Sequence, residues 1–434
     1  MPSRSQPERR FVPFEEPNGV NTKVSRMKRT QDNPIARSMG VLLVLVAVSH
    51  ADAQQAGKPL QVYLLAGQSN MQGHAHVRTF DHIGMDPDTA PLLKVMRNEV
   101  GSPRTCENVW ISSIGASSGD EEKYGQLTVG FGAKAGGPKI GPEFTFGIYT
   151  QRAIKQPMLI IKTAWGGKSL HTDFRPPSAG PSELSEQQLE NLRRRGRDVA
   201  QAQAERVRAT GHYYRLMIQH IEKVLGNIKR VCPDYDPSSG YELAGFVWFQ
   251  GWNDMVDRGA YPNRGEPGGY DAYSDVLCHF IRDVRRDLSA PKLPFVIGVM
   301  GVGGPVDRYD ASQQRYRVVH QEFRKAMAAP AAKPEFQGNV AVVLTENYWD
   351  KELSDLALRW DQVKAENRRL NQDKSLSRDD RSKALDEFTA KHFSPAELKT
   401  WETGASNAAY HYLGSAKIIG QIGQAFADAL LTLR

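Results

Sequence analysis

Cysteine is nearly absent from this chain: three in 434 residues, Cys106, Cys232 and Cys278. So odd and sparse a set makes no disulfide framework, and none of the three sits in a turn that would display a nucleophilic thiol. One bridge is possible in an oxidising compartment, but spacing does not choose the pair. A Gly-rich phosphate cradle and the paired cysteines of a zinc site are also missing. No apolar run is long enough to hold a bilayer span; "VLLVLVAV" (41–48) is too short. Nor is there a large excess of one charge. The formal net charge is +7, but eight Lys/Arg against five Asp/Glu fall in residues 1–53, leaving 48 against 44 in the rest. That surplus is too small and scattered to point to nucleic acid. With 40% hydrophobic and 24% charged residues, the chain reads as a soluble globular protein able to bury a large core.

What is there begins with the pattern expected of a leader. Residues 1–38 are polar, basic and Pro-containing; the apolar run follows, and then Ala51-Asp52-Ala53 supplies a small-x-small cleavage site. This order predicts a secretory signal peptide with a basic extension over 1–53, cut near Ala53, and export to a periplasmic or extracellular space. An uncleaved anchor is the alternative. Counted from Met1 the signal is long, and Met27-Lys28-Arg29 is a more typical start.

The remainder, 54–434, alternates β-rich runs with helical patterns. The runs are "LQVYLLAG" (60–67), "PMLIIKTA" (157–164), "LAGFVWFQ" (243–250), "LPFVIGVM" (293–300) and "NVAVVLTE" (339–346). Each is continuously apolar, as strands covered on both faces are. Between and after them, 144–154, 213–228 and 412–431 carry helical periodicity. The pattern predicts an α/β fold: one open, mostly parallel sheet with helices on both sides and a single domain. Two segments, 181–210 and 351–402, are charged with weak apolar periodicity. They are expected to be polar helical insertions facing solvent, with no core of their own.

In such sheets reactive groups gather at the carboxyl ends of the strands. After the first run comes Gly67-Gln68-Ser69-Asn70-Met71. A serine there serves equally as a helix cap or as a nucleophile whose own N–H faces a developing oxyanion. After the second comes Thr163-Ala164-Trp165-Gly166-Gly167-Lys168-Ser169, where a Gly pair either makes a tight turn or brings a bare N–H to a ligand. After the third comes Trp248-Phe249-Gln250-Gly251-Trp252-Asn253-Asp254, with side-chain amides where packing alone needs none. His411 stands late, in "NAAYHYLGSA" (407–416). Ser, Gly, Asn and His in that order, three of them directly after strands of one sheet, favour chemistry over accident.

The blocks "GQSNM", "TAWGGKS", "WFQGWND" and "YHYLGSA", with "IGPEFTFG" (140–147) between them, resemble those of the SGNH-type esterases. More narrowly they resemble the sialate O-acetylesterase and carbohydrate esterase family 6 branch, over about 60–430. That resemblance implies a flavodoxin-like three-layer α/β/α sandwich, no metal or other cofactor, and removal of O-acetyl groups from sugars. By position, Ser69 matches the nucleophile, which also lends its N–H to the oxyanion hole. Gly167 matches the second donor, Gln250 or Asn253 the third, and His411 the base. The family's acid, three residues before the histidine, is missing: Ala408 stands there. Either a dyad suffices or an acid comes from elsewhere, with Glu346 at the last strand end the best placed and Asp350 and Glu402 weaker.

The implied reaction is serine ester hydrolysis through an acyl-enzyme, with an acetylated carbohydrate as partner. Trp165 and Trp252 are candidates to stack on a sugar ring, or else core residues. His74 and His76 form a His-x-His pair without a third ligand at supporting spacing, which argues against a metal site. Two other readings stay open: a lipid or aryl esterase of the same fold, and a glycan-binding relative without turnover, favoured by Ala408.

Overall fold

The structure, a computed structural model, describes residues 58–116 and 120–434. The leader expected over 1–53 lies outside the described residues. Seven strands form the sheet: β1 (Leu60–Gly67), β2 (Cys106–Ile114), β3 (Lys123–Leu127), β4 (Met158–Ala164), β5 (Tyr241–Phe249), β6 (Phe295–Val299) and β7 (Val340–Leu344). Their order is β3-β2-β4-β1-β5-β6-β7, all parallel except the edge strand β3, which runs antiparallel to β2. The five continuous apolar runs are five of these strands. The other two are more polar: β2 reads CENVWISSI and buries Ser112 and Ser113, while β3 reads KYGQL and is mostly open to solvent.

Helices cover both faces. On one side lie α2 (Glu143–Ile154) and the C-terminal α6 (Ala416–Thr432), close enough that a Cβ on Gly423 would meet Thr145 and Pro142. On the other lie α3 (His212–Leu225), α4 (Asp271–Asp287) and α5 (Arg317–Ala328). Strand β5 shows why each face is apolar: Phe246 and Trp248 pack on Phe280 of α4, and the intervening parity sends Phe249 onto Phe426 of α6. The result is the expected three-layer α/β/α sandwich. All three cysteines are buried and unpaired, and burial pushes their thiols up to about 12 (Cys106) and about 11 (Cys232, Cys278), so none is a ready nucleophile.

The two insertions behave differently. Residues 181–210 hold helices Glu186–Arg194 and Val199–Ala209, with no buried residue in either. Helices Lys351–Gln372, Arg378–His392 and Pro395–Gly404, by contrast, enclose a cluster of Leu356, Val363 and Phe393, packed by Trp360, Leu385, Phe388, Leu398 and Trp401. The expectation that neither insertion builds a core is therefore corrected. Leu356, Val363 and Leu370 recur at seven-residue steps, enough for a narrow seam in an otherwise polar helix.

Registry sets up the site. Gly67 of β1 lies opposite Ala164 of β4 and Phe249 of β5, so the carboxyl ends of the three central strands are level. A Cβ on Gly67 would lie 2.1 Å from the Phe249 carbonyl, so only glycine allows that approach. Behind the strand ends a fully buried ion pair joins the layers: Lys162 of β4 donates to Glu143 Oε2 of α2 at 2.6 Å. Its other two N–H bonds go to the carbonyls of Gln72 (2.9 Å) and Phe131 (3.1 Å), and Glu143 Oε1 accepts from Gly141 N–H at 2.8 Å. Removing one partner strands the other charge in the core. Lys162→Met should therefore cost about 3–5 kcal/mol in urea unfolding, and adding Glu143→Gln should recover part of it. A single variant within about 1 kcal/mol of wild type would show that the pair carries no such constraint.

Candidate active site

Directly after β1, Gln68 is extended (φ −105°, ψ −154°) and begins the one-turn helix α1 (Ser69–Gln72). Gln68 occupies the cap position but its side chain makes no capping bond, and Ser69 is already the first helical residue. The Ser69 hydroxyl is thus not the cap; its polar neighbour is Gln68 Nε2 at 3.5 Å. The Ser69 N–H, in the first turn, has no intrahelical acceptor.

Gln68 instead ties β1 to β5. Its Oε1 accepts from Gly251 N–H (3.0 Å), Gln250 Nε2 (3.2 Å) and Asn253 N–H (3.3 Å), and its Nε2 donates to Asn253 Oδ1 at 3.1 Å. Two backbone donors on one oxygen fix which way the amide points. The buried Gln250 spends its Nε2 on Gln68, on the Lys168 carbonyl (3.0 Å) and on Asp254 Oδ2 (2.6 Å), and its Oε1 accepts from Tyr273. No donor of Gln250 is left for a ligand. Asn253 is half-buried; its Oδ1 is held by Gln68, and its Nδ2 makes no hydrogen bond among the described residues.

The Gly166-Gly167 turn after β4 borders the serine: a Cβ on Gly166 would lie 3.9 Å from Ser69 Cβ. Gly167 sits at φ +75°, in open space, so glycine is required there by the backbone rather than by crowding. The fully buried Asp254 carboxylate anchors the turn to β5. It accepts from Leu170 N–H (2.8 Å), His171 N–H (2.9 Å), Gln250 Nε2 (2.6 Å) and Tyr261 OH (3.1 Å). Burial pushes its acid up to about 6 even against these four donors.

His411 lies in an irregular turn, Ala409–Gly414, packed against α1. Tyr412 and Leu413 are left-handed (φ 52° and 59°), a conformation that costs non-glycine residues energy and is held here by its surroundings. The Tyr412 hydroxyl accepts from Gly301 N–H at 2.8 Å and is hydrogen-bonded to Thr345 Oγ1 at 2.6 Å. The imidazole Nδ1 meets Asn407 Oδ1 at 2.8 Å. That oxygen also accepts from Ala408 N–H at 2.8 Å, which fixes the amide. Nδ1 therefore carries the hydrogen, and Nε2 keeps a lone pair. Burial, then the charge of Lys139, pushes His411 down to about 4.

The expected acids are elsewhere, which corrects the assignment of Glu346. Its carboxylate pairs with the buried Arg324, whose other donors hold the carbonyls of Met300, Val302 and Gly304. Asp350 caps helix Lys351–Gln372 and pairs with Lys417, and Glu402 offers only its carbonyl, to Arg78. No hydrogen bond joins Ser69 to His411 among the described residues. Trp165 is buried against Phe174 and Tyr213, which closes a stacking role to it and corrects that expectation. Trp252 is half-buried beside Tyr410 (ring centroids 5.6 Å apart), and Tyr410 flanks His411. Gln68, Asp254 and Asn407 carry no signal as isolated residues. The first two stand inside quoted blocks, and Asn407 lies one position beyond the usual acid.

The family described as carbohydrate esterase, sialic acid-specific acetylesterase, matches residues 59–335. The chain belongs to this family. The match includes Ser69, Gly167, Gln250 and Asn253 and ends before Asn407 and His411. Similar solved structures include a protein from Arabidopsis thaliana, at 16% identity over 66% of this chain and 86% of that one, TM-score 0.35. Others are a carbohydrate acetylesterase from Xanthomonas citri (14%, 65% of this chain and 49% of that one, 0.34) and NanS (13%, 66% and 78%, 0.34). No curated protein matches the sequence.

Replacing Gln68 by Ala would leave the Gly251 and Asn253 amides and the Gln250 donor without their common acceptor. A loss of about 1–3 kcal/mol in urea unfolding is expected. A Gln68→Ala variant as stable as wild type would mean that water replaces the amide freely.

Proposed function

We propose that the protein is a serine esterase that removes O-acetyl groups from carbohydrate through an acyl-enzyme. The observation that carries this reading is the level registry of β1, β4 and β5, which sets Ser69, Gly167 and Asn253 at adjoining strand ends. The turn that carries His411 packs against α1, and with Nδ1 donating to Asn407 the imidazole Nε2 keeps a lone pair to accept a proton.

Ser69 Oγ attacks the acetyl carbonyl while its proton passes to His411 Nε2. The oxyanion is held by the N–H groups of Ser69 and Gly167 and by Asn253 Nδ2; Gln250 positions rather than donates, its amide being spent. Collapse of the tetrahedral intermediate breaks the ester bond, and His411 returns the proton to the departing sugar oxygen. Water, deprotonated by His411, then frees acetate and restores Ser69. Trp252, half-buried beside Tyr410, is the remaining aromatic for a sugar face. The apolar run at 41–48 and Ala51-Asp52-Ala53 support export, which would place an extracellular or periplasmic acetylated sugar within reach. Among the described residues no helix is long and apolar enough to cross a membrane.

Acetate release from acetylated xylan and from an aryl acetate tests the reading. Ser69→Ala and His411→Ala should each lose at least about 10³-fold, and Asn253→Ala about 10²–10³-fold. A folded wild type that frees no acetate from either substrate would favour the glycan-binding alternative, for which the absent carboxylate beside His411 is the supporting observation.

The pH profile gives a second check. The base must be neutral, so kcat/KM falls only as pH drops through its pKa. With His411 pushed down to about 4, activity should hold well below the ordinary imidazole value of 6.5 and fail near pH 4. Asn407→Asp sets a carboxylate beside the ring and favours the imidazolium, so the acid limb should move up. A wild-type limb near 6.5 would overturn this account of the base.

A further inference from the structure

His74 lies five residues past Ser69, beyond the turn at Gly73, and its ring stacks on His411 with centroids 3.8 Å apart and planes 3° from parallel. The contact is built into the backbone. Ser406 Oγ accepts from His76 N–H (3.1 Å), donates to the Gly414 carbonyl (2.7 Å) and lies 3.3 Å from the His74 carbonyl, binding segment 74–76 to the His411 turn. On its other side Ala75 pairs with Ile140. The His74 Nε2 is buried without a hydrogen-bond partner. A histidine kept only for packing would not need to leave a nitrogen desolvated, since a phenyl ring fills the same space.

We propose that His74 is a positioning residue for His411, holding the plane of the base by face-to-face stacking where the chain lacks an orienting carboxylate. This rests on the assignment of His411 as the base. A single hydrogen bond from Nδ1 to a neutral amide leaves the imidazole free to swing about that bond, and an amide grips less firmly than a carboxylate. A parallel ring at van der Waals distance removes the swing. It also shields one face of the base from water, which disfavours the imidazolium. The other charged and titratable groups facing the pair are Lys139, Tyr410 and Lys162, the last paired with Glu143. Burial, then His411, Lys139 and Lys162, push His74 down to about 3, so it stays neutral beside the base.

The experiment compares His74→Ala and His74→Phe with wild type on an aryl acetate, reading kcat, KM and the pH profile, with circular dichroism to establish folding. The alanine variant should lose roughly 10–100-fold in kcat with KM little changed, the scale of a misplaced catalytic group. Its acid limb should shift up toward 6.5. The phenylalanine variant keeps the stack and should stay within about threefold of wild type, with the limb unmoved, a loss small beside the misplacement penalty. Wild-type kcat and profile in His74→Ala, or a phenylalanine variant as impaired as the alanine one, would overturn the proposal. If Ser69→Ala or His411→Ala keeps wild-type turnover, it is the esterase reading that fails instead.

Discussion

The Lys162–Glu143 pair is the constraint on which the rest of the site depends. A lysine in the middle of a central strand is tolerable only if its charge is matched and all three N–H bonds find acceptors. Here the acceptors come from three other places in the chain: the first turn of α2, the last residue of α1 and the loop carbonyl of Phe131. Each must be in position for the ammonium to be satisfied. The end of the helix that begins at Ser69 is therefore held by the core rather than by its own four residues, too few to persist alone.

Ahead of that charged pair, the site is fixed by neutral amides. Gln68, Gln250 and Asn253 donate and accept among themselves, and Asp254 is the one carboxylate in the group. An amide can both donate and accept, so a chain of amides fixes three loops without burying further charge. The same logic separates Gln250 from Asn253. The deeper amide is consumed by structure, and the shallower one keeps a hydrogen to offer.

Much of this was legible in the chain. The five continuous apolar runs are strands because both sheet faces are covered, and the places where those runs stop put Ser69, Gly167 and Asn253 just past strand ends. Strand β2 was not legible, because its buried Ser112 is satisfied by Glu122 and His220, partners distant in sequence. The seam of Leu356 and Val363 was hidden by the charges around it. The partner of His411 is an amide, Asn407, where the family pattern implies an acid. Glu346 does stand at a strand end, but Arg324 claims it. Asn407 reaches the ring from four residues back, within an irregular turn that also holds Tyr412 and Leu413 left-handed, and no periodicity encodes that.

An amide in place of the acid changes the energetics of the proposed base, His411, in a definite direction. In the proposed reaction, a carboxylate beside imidazole would stabilise the imidazolium formed as Ser69 attacks; an amide fixes the tautomer but supplies no charge. The base is then weaker, stays neutral to lower pH, and gains less when it takes the proton. Rigidity is the compensation the structure offers. The turn is held by the hydroxyls of Tyr412 and Ser406, and the ring is covered by His74. A base that needs no reorientation loses less entropy on reaching the transition state, which partly offsets weaker electrostatic help. The missing carboxylate and the stacked second imidazole thus belong to one arrangement, in which geometry takes over part of the work that charge performs when an acid is present.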